Sequence, residues 1–139
     1  MAVKDNYTFY MKSYTDLEQS KKLAEILPLK SADMYFNGHQ SITNPKEWEY
    51  EDAPKVRGKY IAFDDKRIFY PCWSLAALLK LLPLPMLTQH NNGKWCIVSY
   101  PNGAVKTSNE YDNPVDACYE MIVKLKELNL LWLWKRKKQ

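Results

Sequence analysis

Three of the four glycines in this chain directly follow an asparagine, at Asn37-Gly38, Asn92-Gly93 and Asn102-Gly103. Both residue types tolerate positive φ, so Asn-Gly between apolar segments is the strongest short-range signal for a β-hairpin. The second half of the chain reads accordingly as a meander. Leu84 to Gln89 runs into Asn91-Asn92-Gly93, Lys94 to Tyr100 forms a central strand, Pro101-Asn102-Gly103 turns it, and Ala104 to Ser108 returns. Trp95, Ile97 and Ser99 alternate with Cys96, Val98 and Tyr100, so both faces of that strand carry apolar groups, which predicts a mid-sheet position. Lys59 to Phe63 and Lys66 to Tyr70, joined by Asp64-Asp65, read as a further hairpin.

Three helices accompany the strands. Thr15-Asp16-Leu17-Glu18 has the form of a capping box, followed by an apolar stripe of Leu17, Leu23, Ala24 and Leu27 that Pro28 ends. Trp73 to Leu82 is apolar almost all round and, at about 15 Å, too short to span a bilayer, which predicts a central core helix ended by Pro83. In the third helix Asn113 or Asp112 caps, Pro114 takes the first helical position, and Asp116 sits favourably in the first turn. Val115, Cys118, Ile122, Leu125 and Leu128 form its buried stripe. Leu23 to Pro28 and Leu78 to Pro83 share a Leu-Pro ending, which reads as a helix-stop idiom rather than a repeat.

With 139 residues and 46% apolar content, the chain suits one domain, residues 1–139, with a single core and a basic tail at 135–139. Met1 to Tyr7 has no apolar run of the kind a secretory signal or anchor needs, so a cytoplasmic location is the expectation. Cys72, Cys96 and Cys118 are odd in number and lie in apolar surroundings, which predicts reduced, buried thiols. Lys135, Arg136, Lys137 and Lys138 carry the whole net charge of +4, and the rest of the chain is balanced. Any electrostatic attraction to nucleic acid must therefore come from the tail.

Glu18 to Leu23 with Ser31-Ala32-Asp33-Met34, Pro71-Cys72-Trp73-Ser74 running on to Leu79, and Asp112 to Cys118 carry a resemblance. On these segments the chain resembles an uncharacterised family of small proteins encoded by phages and mobile elements of gut bacteria. The resemblance implies a genomic setting and an intact single domain, and it lends no catalytic residue. The family pattern has alanine at the position of Cys72, which argues against chemistry at that thiol.

Candidate sites are sparse. Glu47, Glu49 and Glu51 alternate with Trp48 and Tyr50, which in a strand places the carboxylates on one face about 6.8 Å apart. Paired carboxylates serve hydrolases and divalent-metal nucleases, but a converging base or histidine is missing, so a solvated edge strand is the preferred reading. His39 and His90, with Asp33 or the acidic strand, lack the tight spacing of a zinc site. Ser74 reads as an N-cap, because no flanking glycines build a nucleophile elbow. Four scattered glycines make no phosphate-cradling loop. No cofactor is implied.

The tail supplies the remaining candidate. For Trp132, Trp134, Lys135, Arg136, Lys137 and Lys138 the preferred reading is that the tryptophans complete the core and the basic groups cap the final helix; they also combine stacking surface with phosphate-pairing charge, the ingredients of nucleic-acid contact, or, less favoured, of a membrane interface. Ten tyrosines and five tryptophans exceed what a core of this size hides, and such residues anchor protein interfaces. The expected fold is α+β, an antiparallel sheet of five or six strands built from hairpins and packed on about three helices, with Trp73 to Leu82 most deeply buried. The expected role is a non-enzymatic accessory protein that binds a protein partner or itself. Nucleic-acid binding through the tail is the runner-up, and a metal-dependent hydrolase or nuclease the third reading.

Overall fold

In the computed structural model, which describes residues 11–131, the first helix, α1 (Leu17–Ile26), is capped by Asp16 rather than Thr15. The Asp16 carboxylate accepts from the Gln19 amide at 2.8 Å and the Gln19 side chain accepts from the Asp16 amide at 3.1 Å, so the capping box is shifted by one residue and excludes Glu18. Thr15 turns inward instead. Residues 13–15 pair with residues 73–75, through Thr15 N to Trp73 O at 2.9 Å and Leu75 N to Ser13 O at 3.0 Å. The buried Thr15 hydroxyl accepts from the Trp73 amide at 3.1 Å and shares a hydrogen bond with Ser20.

The fold is α+β, with two antiparallel sheets in place of the single sheet expected. In the first sheet β1 (Met34–Gln40) is central. β4 (Phe69–Cys72) runs along it with Phe36 opposite Tyr70, while β2 (Trp48–Tyr50) and the short β3 (Lys55–Val56) pair with successive parts of it. Asn37-Gly38 is therefore not a turn but the middle of a strand. Glycine is required there by close approach: a Cβ would stand 2.0 Å from the Arg67 carbonyl oxygen and 2.6 Å from the Tyr50 ring.

The hairpin expected between residues 59–63 and 66–70 does not form. Asp65 instead folds the chain back on itself, its carboxylate accepting from the Arg67 amide at 2.9 Å and from the Arg67 guanidinium at 2.9 and 3.1 Å. Phe69 and Tyr70 then find better partners on the first sheet, in edge-to-face pairs with Tyr35 at 5.3 Å and Tyr50 at 5.5 Å.

The meander forms as its turns predict: β5 (Met86–Gln89), β6 (Trp95–Ser99) and β7 (Lys106–Thr107) make the second sheet, with β6 in the middle. His90 to Lys94 closes a three-residue loop with Gly93 at φ +84°. At the other end Asn102 and Gly103 take φ +52° and +81°, the two positive values a type I′ turn needs. β5 starts later than expected because Leu84 has φ +43°, outside the extended region.

The core lies between β6 and the helices. α3 (Pro114–Glu127) is capped by Asn113 and buries Val115, Ala117, Cys118, Met121, Ile122 and Leu125 against Ile97, Leu78 and Leu23. α2 (Leu75–Leu81) is shorter than the apolar run suggests, since Ser74 caps it and Trp73 is buried ahead of it. It buries three residues where α3 buries seven, so α3 is the most deeply set helix. Leu128 leaves the expected stripe and is 48% exposed. There the helix ends in a Schellman motif, with Asn129 at φ +58° and Leu130 N bonded to Leu125 O at 2.8 Å. Leu27 and Leu82, each before a proline, are both extended, which accounts for their shared role as helix stops. Among the described residues no helix is long and apolar enough to cross a membrane.

Candidate functional site

The sequence-derived candidates fall in separate places. Glu47, Glu49 and Glu51 face solvent along the edge strand β2, with Trp48 and Tyr50 partly buried between them. Glu49 meets His39 across the pair at 3.5 Å, Glu51 accepts from Asn37 at 3.3 Å, and the Arg67 guanidinium lies over Trp48 at 5.3 Å. Asp33 is engaged as a cap, accepting from both the amide and the hydroxyl of Ser74, while Ser74 Oγ accepts from Ala77 N. His39 lies in β1 and His90 in the loop that follows β5, each with its own carboxylate. Among the described residues no three His, Cys, Asp or Glu side chains converge as a metal site. Trp132, Trp134, Lys135, Arg136, Lys137 and Lys138 lie outside the described residues.

The expected excess of exposed aromatics also resolves differently. Among the described residues, Tyr60 is the one aromatic with large exposure, at 87%. The other large exposed apolar side chains are aliphatic, Leu84, Met86 and Val105 among them, and these three gather at one end of the second sheet.

That sheet has two unlike faces. Leu87 and Ile97, opposite one another, join the core, so the alternating residues Met86, Thr88, Cys96, Val98 and Thr107 point the other way. Cys96 is buried, at 7% exposure, yet stands outside the main core cluster. What covers it is His90. The three-residue loop sets His90 opposite Lys94 and Thr88 opposite Cys96, which makes His90 a diagonal neighbour of the thiol on the outer face. On the other flank, paired hydrogen bonds between Trp95 and Tyr111, at 2.7 and 2.8 Å, bring Glu110 beside Cys96 on that same face.

The three side chains meet in order. His90 Nε2 is 3.1 Å from Cys96 Sγ and His90 Nδ1 is 2.9 Å from Glu110 Oε2, while Asn92 steadies the other carboxylate oxygen at 3.4 Å. A carboxylate only accepts, so Nδ1 carries a proton, and in the neutral ring Nε2 then presents its lone pair to the thiol. Burial pushes the Cys72 thiol up to about 11 and the Cys118 thiol up to about 12, and both remain protonated at neutral pH.

His90 and Cys96 are legible together once Asn91-Asn92-Gly93 is read as a three-residue loop. Glu110 is not, because its position depends on the Trp95–Tyr111 bridge beyond β7. A second polar cluster joins the helix starts. Lys12 Nζ lies 2.9 Å from both Asp16 and Asp116, and Asp116 also accepts from Gln19 and Asn113. It borders a groove of about 720 Å³ whose walls include Tyr14, Leu17, Phe36, Tyr50, Glu51 and Asp52. No protein-family model, curated protein or solved structure matches the chain.

Proposed function

We propose that the protein works by binding another protein, an extended segment of which adds to the free edge of β5. The supporting observation is the contrast between two edge strands. β2 carries Glu49 between Glu47 and Glu51, charges that ordinarily guard an edge against pairing. β5, Met86-Leu87-Thr88-Gln89, carries no charge, and Met86 is 52% exposed. Leu84 just ahead of it is 75% exposed and held at φ +43°, a conformation that costs a side-chain-bearing residue roughly 1–2 kcal/mol. Strain and an exposed leucine coincide beside an unguarded edge, a combination that favours a binding role. Main-chain pairing would supply affinity, and Leu84 and Met86 the selection. A cytoplasmic setting accords with three unpaired cysteines.

The test is capture from a cell lysate on immobilised protein, comparing the natural sequence with Met86→Lys and Leu84→Lys. Both variants are expected to lose the partner while keeping their thermal transition. A partner retained by both removes β5 as the site. Sedimentation of the same samples identifies a second copy as the partner if only the natural sequence dimerises.

A further inference from the structure

We infer that Cys96, His90 and Glu110 form a nucleophilic thiol site for acyl transfer, taking activated acyl groups such as thioesters and esters onto Cys96. The inference goes beyond partner binding and stands on the side-chain geometry alone. A thiol nucleophile needs a base within hydrogen-bond reach and a third group that orients the base. Cys96 Sγ at 3.1 Å from His90 Nε2, and His90 Nδ1 at 2.9 Å from Glu110 Oε2, meet both requirements.

In the neutral ring with its proton on Nδ1, Nε2 is the base. Sγ attacks the acyl carbonyl carbon and an S–C bond forms as the thiol proton passes to Nε2. Glu110 steadies the resulting imidazolium. Collapse of the tetrahedral species breaks the bond from carbon to the leaving oxygen or sulfur, which departs with the proton returned from Nε2. S-acyl Cys96 remains. Water completes the cycle, giving its proton to Nε2 as it attacks. The S–C bond then breaks and the thiol recovers that proton. A relay that both takes and returns a proton suits acyl transfer.

The site lies at the protein surface. His90 and Glu110 are 40% and 41% exposed, and the neighbouring Thr88 and Met86 are open to solvent. All three cysteines are buried, but Cys96 is 7% exposed and in contact with the half-exposed His90, whereas Cys72 and Cys118 have no exposure.

The experiment treats the full chain with p-nitrophenyl acetate, following nitrophenolate release and locating the acetyl group by peptide mass. The expected result is a burst of one equivalent with the acetyl on Cys96, faster than glutathione at equal thiol concentration. His90→Ala is expected to slow it on the order of 100-fold, with partial recovery on adding free imidazole, and Glu110→Gln to slow it less. Both variants change surface groups, so unchanged thermal transitions separate chemistry from folding. Acetylation of Cys96 no faster than glutathione, or a rate indifferent to His90→Ala, overturns the site. Acetyl found on lysines alone does the same.

Discussion

The ring of Tyr50 lies against the backbone of Gly38 so closely that a Cβ on the glycine would come within 2.6 Å of it. The Arg67 carbonyl closes the other side at 2.0 Å, and a backbone atom cannot swing aside as a side chain can. Gly38→Ala must therefore spread β1 from the Arg67 segment and break the bond from Gly38 N to Ile68 O. We expect a loss of about 3 kcal/mol, at the upper end of ordinary overpacking, read as a lower urea midpoint with unchanged slope. A variant as stable as the natural protein would show that this strand pairing gives way easily.

Asp116 ties α3 to the chain ahead of α1. Burial alone would raise its carboxyl, but hydrogen bonds from Lys12, Gln19 and Asn113 outweigh it and hold the group below its usual range. A depressed folded value contributes stability above the unfolded value near 4, and that contribution fades as pH falls through the folded one. Asp116→Asn is expected to cost about 1–2 kcal/mol at neutral pH and to flatten the acid limb of a melting-temperature profile. An acid limb identical to that of the natural protein would contradict this.

Cys118 reports on the alkaline side. Burial raises it to about 12 from an ordinary value of 9.0, and raises Cys72 to about 11. Unfolded thiols ionise first, so this part of the stability is whole below pH 9 and drains away as pH rises toward 11 and 12. Cys118→Ala is expected to make the alkaline fall in melting temperature shallower. In the native protein at pH 8, iodoacetamide is expected to leave Cys72 and Cys118 unmodified, which peptide mapping checks.

Leu84 and Asn129 share a left-handed backbone, at φ +43° and +58°, for different ends. Glycine relieves both. Asn129→Gly is expected to gain about 0.5 kcal/mol, since asparagine already tolerates the conformation, and Leu84→Gly about 1 kcal/mol, since leucine does not. Only Leu84→Gly should also weaken partner capture. Equal capture by both variants would detach Leu84 from binding.

Asn113-Pro114 and the stripe behind it disclosed α3 because cap, proline and apolar period all act within a few residues of one another. The second sheet was readable for the same reason, its turns being local. What escaped depended on distant partners. Asn37-Gly38 has the composition of a turn, and only Arg67 and Tyr50 make it a strand centre. Thr15 has the form of a cap, and only Trp73 draws it inside. Cys96 resembles its two buried counterparts until the sheet separates its face from theirs, and Glu110 reaches it through a bridge that no short motif encodes.

The pairing of residues 13–15 with 73–75 spans 58 positions between Thr15 and Trp73. A nascent chain thus holds the Asp16–Gln19 cap early but has nothing to dock it on until Leu75 has left the ribosome. Closing so large a loop is slow compared with winding one helix. The Thr15 amide, donated to Trp73, is the natural reporter: it should gain protection from hydrogen exchange together with β4, and later than the amides inside α1.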